Sequence, residues 1–195
     1  AKREKAIELC NLILERGLKL KWTCSTRVDV VNEELLRLMK RAGCWSIRFG
    51  VESGNQKILN FIQKGITKEQ VTEAINLCEK VGICTKAFFM VGHPGETIQT
   101  MEETIDFACS LPLTDITVQI NTPLPNTHQY AIAKDYGTIP SVDYSKYSFF
   151  SPVFIPHGLT KEDLAYYHKE FYRRFFWRVP TIKRQLKKVA HFATL

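Results

Sequence analysis

The sequence predicts an α/β fold in which parallel strands alternate with helices, followed by a helical carboxyl-terminal extension. Runs rich in β-branched and aromatic residues begin near positions 19, 44, 84 and 115, the composition of buried strands. Stretches with apolar residues at helical spacing separate them, and such alternation implies parallel strands joined by right-handed crossovers. The 195 residues are 45% hydrophobic and 24% charged. That suits one packed domain or slightly more and excludes a disordered chain.

Each element carries its own signal. Residues 3–16 read as a helix, with Ala6, Ile7, Cys10, Ile13 and Leu14 on one stripe. Residues 19–24 read as a short strand. Asn32 caps the next helix, with Glu33 and Glu34 in its first turn, Lys40 and Arg41 in its last, and Gly43 just beyond. A second strand follows over 44–51 and a short helix over 55–63. Thr67 and Gln70 then form a capping box for a helix whose stripe is Val71, Ala74, Ile75 and Cys78 and which Gly82 ends. The third strand covers 84–91. Thr97 caps a helix bearing Met101, Ile105 and Ala108, and the fourth strand covers 115–120. Four such units are half of an eight-unit barrel or a whole doubly wound sheet, and periodicity alone leaves both open.

In either architecture function sits at the carboxyl ends of the strands. Here those ends run into polar segments: Ser25 to Asp29, Gly50 to Gly54, Gly92 to Thr97, and Asn121 to Thr127. The amino ends are bland. Each motif also has a plain reading, such as a Pro/Gly turn delivering the Thr97 cap or an Arg27–Asp29 surface ion pair. Their coincidence on one rim points to a ligand site.

Charge is uneven. Residues 161–195 hold nine Lys/Arg and three Asp/Glu, while residues 1–160 are nearly neutral, which argues against a nucleic-acid-binding surface on the main body. No apolar run approaches the roughly 20 residues that span a bilayer. The six cysteines, at 10, 24, 44, 78, 84 and 109, lack zinc, redox or cluster-loop spacing. They read as reduced structural residues of a cytoplasmic protein.

At the rim the chain resembles a known family. Trp22-Thr23-Cys24-Ser25-Thr26-Arg27-Val28-Asp29, Ile47-Arg48-Phe49-Gly50-Val51-Glu52-Ser53-Gly54 and Lys64-Gly65-Ile66-Thr67 are similar to the radical S-adenosylmethionine (radical SAM) superfamily, in the branch often carrying a cobalamin-binding domain. So are Phe89-Met90-Val91-Gly92-His93-Pro94-Gly95-Glu96-Thr97 and Thr122-Pro123-Leu124-Pro125-Asn126-Thr127. The resemblance implies a partial TIM-type (β/α) barrel, about four units of a barrel of about six. It also implies S-adenosylmethionine, a [4Fe-4S] cluster, and in some members cobalamin, acting on a small-molecule substrate. Carried over position by position, Glu52 would meet the ribose hydroxyls with Ser53 in support, and Lys64 the methionyl carboxylate. Arg27 would join the same network, and Gly92 and Pro94 would let backbone approach the adenine.

Two departures stand out. The family's Cys-x3-Cys-x2-Cys loop is absent, although a cluster needs three such thiolates. The expectation is therefore the carboxyl-terminal part of a larger enzyme, inactive alone, missing the amino-terminal part of its barrel and prone to pair through its open strand edge as a homodimer. Asn126 also stands where relatives carry Gly, a position Asn tolerates.

Residues 1–127 thus read as barrel, 128–160 as an irregular substrate-side linker, and 161–195 as a basic helix pair. Thr160 and Asp163 open the first helix of the pair, with Leu164, Tyr167, Phe171 and Phe175 as its stripe. Pro180 opens the second, where Ile182, Leu186, Val189 and Ala190 oppose Lys183, Arg184, Lys187 and Lys188. The plain expectation is a solvated basic face; an anionic membrane surface is the other candidate partner. Two other functions remain open: a non-redox barrel enzyme using Glu52, His93 and Glu96 as acid/base groups, and a non-catalytic binding module using the tail.

Overall fold

Four strands pair in chain order, all parallel: β1 (Trp22–Thr26), β2 (Cys44–Glu52), β3 (Cys84–Val91) and β4 (Asp115–Ile120). The structure, a computed structural model, describes residues 3–140 and 143–193. The side chains of Lys146, Lys187, Lys188 and residues 190–193 lie outside the described set. A doubly wound sheet reverses its strand order about a switch point. This sheet does not, so right-handed crossovers set its helices on one face, as in an arc of a (β/α) barrel.

The helices are α1 (Arg3–Glu15), α2 (Glu33–Arg41), α3 (Gln56–Phe61), α4 (Lys68–Val81) and α5 (Ile98–Ser110). In the outer layer α1 packs on α2 and α2 on α4. Ile47, Phe49 and Val51, Ala87, Phe89 and Val91, and Ile116, Val118 and Ile120 fill the space beneath them and are buried. The alternate residues Arg48, Lys86, Met90 and Gln119 face the concave side and keep some exposure. One face is thus a core and the other a polar trough.

The helix starts are where local chemistry sets them. Asn32 Oδ1 accepts the Leu35 N–H at 3.0 Å, and Thr67 and Gln70 exchange bonds of 3.2 and 2.9 Å. Thr97 pairs likewise with Thr100, and Thr160 with Asp163. Of the six free cysteines, Cys10, Cys44 and Cys78 are buried and the others are part-buried.

Three expectations need correction. β1 begins at Trp22 rather than 19, because sheet pairing starts where the Trp22 N–H meets the Gly43 carbonyl at 3.2 Å. Residues 128–160 are not simply irregular: they hold α6 (His128–Tyr136), capped by Thr127, and an antiparallel pair of β5 (Gly137–Thr138) with β6 (Ile155–Pro156). Only Ala133 of α6 is buried, so the helix carries almost no apolar repeat to read.

The third correction concerns the tail. α7 (Lys161–Phe176) packs on α5 and β4, setting Phe171 5.1 Å from Phe89 and pairing Arg174 with Glu102 and Asp106. α8 (Val179–Ala193) turns its apolar stripe outward: Val179, Leu186 and Val189 are each 64% exposed. Its polar side faces the body instead, with Arg184 bonded to Glu79 at 3.2 Å and Gln185 to the Thr114 carbonyl at 2.5 Å. Among the described residues no helix is long and apolar enough to cross a membrane.

One contact locks the turn after β2 to α5. A Cβ at Gly54 would fall 2.6 Å from Phe107 Cβ and 2.7 Å from Thr104 Cα. Gly54→Ala is therefore expected to lower the unfolding free energy by about 2 kcal/mol, the scale of overpacking, measured by urea denaturation.

Candidate functional site

The carboxyl rim of the sheet is shaped by a break in pairing. Between Gly50 and Glu52 the register of β2 against β3 shifts, and Glu52 takes a left-handed backbone, φ 73°. That conformation is uncommon outside glycine. It turns the Glu52 carboxylate to Lys64, whose Nζ donates to Oε1 at 2.7 Å. The two side chains are only 20% and 24% exposed. Gly50 makes the room: a Cβ there would stand 2.9 Å from Glu52 Oε1 and 3.0 Å from Lys64 Nζ.

Lys64 sits on the loop after α3, between positive-φ residues Gln63 and Gly65. Arg27 holds that loop from the end of β1. Its guanidinium donates to both Asp29 carboxylate oxygens, with contacts of 2.9 and 2.8 Å, and to the Lys64 and Gly65 carbonyls at 3.2 Å each. Hydrogen bonding from Arg27 keeps the Asp29 carboxyl below its ordinary range. Arg27 therefore grips the backbone that presents Lys64 and does not itself line the cavity.

That cavity, about 840 Å³, lies over the strand ends and is walled by Glu52, Lys64, Met90, His93, Asn121 and residues of the α6 segment. Phe61 and Tyr136 stack edge to face at 4.9 Å on its flank. Its size suits a ligand of cofactor or drug dimensions.

The remaining expected residues lie elsewhere. Ser53 is buried beneath the rim, where its hydroxyl pairs with Thr104 at 3.1 Å and accepts the Asn55 N–H at 3.1 Å. Gly92, φ 85°, is not open to the cavity: a Cβ there would meet Leu164 of α7 at 3.1 Å. Pro94 is buried in the turn. Glu96 closes that turn, its Oε2 accepting the N–H groups of Gly92 at 2.5 Å and His93 at 3.0 Å. Thr97 caps α5 as the plain turn reading expects. Asn126 takes φ 64°, so the loop keeps its left-handed turn without glycine.

Glu52, His93 and Glu96 do not assemble as an acid/base set. Glu52 is paired with Lys64, and Glu96 serves its own loop. The cavity wall that sequence reasoning missed is that of α6, with His128, Gln129, Ile132, Asp135 and Tyr136, whereas Asn121 fell within a rim segment that the sequence did single out.

The residues fit S-adenosylmethionine better than they fit a cluster. An acidic and a basic side chain converge on the cavity edge, matching a ligand with ribose hydroxyls and a methionyl carboxylate. The cysteines do not fit a [4Fe-4S] cluster. The sequence has no three-cysteine loop, and no group of three or more metal-binding side chains converges among the described residues.

Two buried groups set a pH response. Burial pushes the Glu96 carboxyl up from 4.5 to about 8, against the pull of its two backbone donors. Burial, then the nearby Lys64 charge, pushes His93 down from 6.5 to about 4. Stability from protonated Glu96 is complete below pH 4.5 and lost as pH rises through about 8; stability from neutral His93 is complete above pH 6.5 and lost as pH falls through about 4. The two trends oppose each other between 4.5 and 6.5, and above 6.5 only the Glu96 decline remains. Thermal melts from pH 6.5 to 8 are expected to fall for the wild type and stay level for Glu96→Gln.

The profile of the Radical SAM superfamily matches residues 2–108. An uncharacterized methyltransferase of Pyrococcus horikoshii is 34% identical over 90% of this chain and 38% of its own length. The anaerobic magnesium-protoporphyrin IX monomethyl ester cyclase of Cereibacter sphaeroides is 36% identical over 90% of this chain. The chain spans 29% of that relative's length. Among solved structures, a radical S-adenosylmethionine methyltransferase from Kitasatospora setae, with cobalamin and [4Fe-4S] cluster bound, superposes with a TM-score of 0.62 at 21% identity. That match covers 85% of this chain and 34% of the other. The profile covers more than half of the sequence, and the sequential parallel sheet agrees with it: the chain belongs to the radical SAM superfamily.

Proposed function

We propose that this chain supplies the S-adenosylmethionine-binding rim of a radical SAM methyltransferase or oxidoreductase, and that it does not by itself hold the [4Fe-4S] cluster or cleave S-adenosylmethionine. The observation that carries the reading is the Glu52–Lys64 pair, 2.7 Å apart at the edge of the rim cavity. The relatives, a methyltransferase and a cyclase of a tetrapyrrole ester, support the reaction class. Cobalamin is a further cofactor of the whole enzyme on this reading, supported by a structural neighbour that binds it. When bound, S-adenosylmethionine supplies a carbon radical or a methyl group.

The chain's own residues bind and orient. The Glu52 carboxylate accepts hydrogen bonds from the ribose hydroxyls, and the Lys64 ammonium meets the methionyl carboxylate. Arg27 keeps the Lys64 loop in place, with Asp29 fixing the plane of its guanidinium. Ser53 ties the turn after Glu52 to α5 through Thr104, supporting the carboxylate without reaching the ligand.

Equilibrium dialysis with S-adenosylhomocysteine tests the binding half. Glu52→Gln and Lys64→Met are each expected to weaken it by at least about tenfold, the scale of one charge-assisted hydrogen bond. Equal affinity in all three proteins would refute the assignment. Anaerobic reconstitution with iron and sulfide tests the other half: no stable cluster chromophore is expected, and its appearance would show that the cysteines present suffice.

A further inference from the structure

Helix α8 is docked by its polar side. Thr181 is fully buried, Arg184 bonds Glu79, and Gln185 bonds the Thr114 carbonyl. Val179, Ile182, Leu186 and Val189 recur at three- and four-residue steps, which puts them together on one face. That face points to solvent: Ile182 is 41% exposed and the other three 64% each. Trp177, at the joint between α7 and α8, is 80% exposed. A surface helix ordinarily turns its apolar side to the core. An apolar stripe held outward marks a surface that something else covers.

The charge around the stripe selects the occupant. Residues 173–188 hold seven Lys/Arg and no Asp/Glu, and no acidic residue follows Glu170 in the sequence. Arg173 is paired with Glu170, Arg174 with Glu102 and Asp106, and Arg184 with Glu79. Lys183 is exposed, and helical geometry sets it at the border of the stripe, next to Val179. Lys187 and Lys188 follow in sequence. We propose that the exposed face of α8, with Trp177, is a docking surface for an anionic lipid bilayer, on which the helix lies in the headgroup plane. Hydrocarbon receives the aliphatic side chains, the headgroups receive the lysines, and an indole ring settles at the boundary between them. At 15 residues α8 is too short to span the hydrocarbon, so it rests on the surface. A second copy fits poorly, because packing this face on itself brings basic segments together with no acid to match them. A nucleic acid would meet the lysines and leave the stripe in water. Glu79 lies in the last turn of α4 and Thr114 just before β4, so α8 sits by the amino ends of the strands. A bilayer there holds the protein by its foot and leaves the Glu52–Lys64 cavity, at the carboxyl ends, open to solution.

The test is flotation of the 195-residue protein with vesicles at about 0.15 M salt. The protein is expected to float with phosphatidylcholine vesicles containing about one-third phosphatidylserine, and to stay in solution with phosphatidylcholine alone. Its tryptophan emission is expected to shift to the blue on binding. Trp177→Phe is expected to remove that shift, since Trp22 and Trp45 belong to β1 and β2. Leu186→Gln is expected to weaken partition about tenfold and Lys183→Gln about fivefold. Both variants are expected to keep the wild-type melting temperature, because the two side chains stand in water in the free protein. No flotation with the anionic vesicles would overturn the proposal, as would equal flotation with the neutral ones. So would partition that Leu186→Gln leaves intact, which would make the attraction one of bulk charge alone. A concentration-dependent dimer that Leu186→Gln dissociates would assign the stripe to a second copy and overturn the proposal as well.

Discussion

The rim of this protein is organised around one ion pair. Glu52 and Lys64 belong to different segments, and nothing in the local preferences of either would bring their charges to 2.7 Å. Three features do it together: the register break in β2, the absence of a side chain at Gly50, and the grip of Arg27 on the Lys64 loop. Each is a backbone device serving a side-chain contact. The pair stands largely out of solvent, where an unmatched charge is far more costly than at a surface. Each residue therefore holds the other in its place, and the surrounding loops inherit their positions from that constraint.

The pairing also bears on how the proposed cofactor would enter. A zwitterionic ligand with hydroxyls can trade partners with the pair, its carboxylate going to Lys64 and its hydroxyls to Glu52. Neither protein charge is then stranded at any point. Much of the desolvation has already been met during folding, so the site begins the encounter arranged for binding.

The parts legible in the sequence were those decided within a few residues. Capping pairs such as Thr67 with Gln70 and Thr160 with Asp163 act across three positions, and they form as read. The four strand centres were legible because burial on the helix side demands apolar residues. α6 was not, because it buries only Ala133 and so leaves no stripe. Ser53 was read with Glu52 because they are neighbours in sequence, yet the left-handed turn at Glu52 sends Ser53 under the rim toward Thr104. Gly92 had the right conformation for a different reason, its neighbour being Leu164 of α7, some seventy residues away. Asn121 was legible only as the start of its rim segment; that its amide nitrogen lacks a partner is a property of the folded surroundings alone.

The left-handed backbone at Glu52 sets folding and binding against each other at a single position. Any residue with a Cβ is strained there, and glycine is not. A chain that exchanged Glu52 for glycine would relieve the strand end and keep the turn. It would also leave the Lys64 charge unmatched where that side chain is only 24% exposed, and a stranded charge there costs more than at a surface. Relief of the backbone and loss of the counter-charge therefore pull in opposite directions. Position 52 is thus one where the backbone alone would prefer glycine and the charge beside it opposes the exchange.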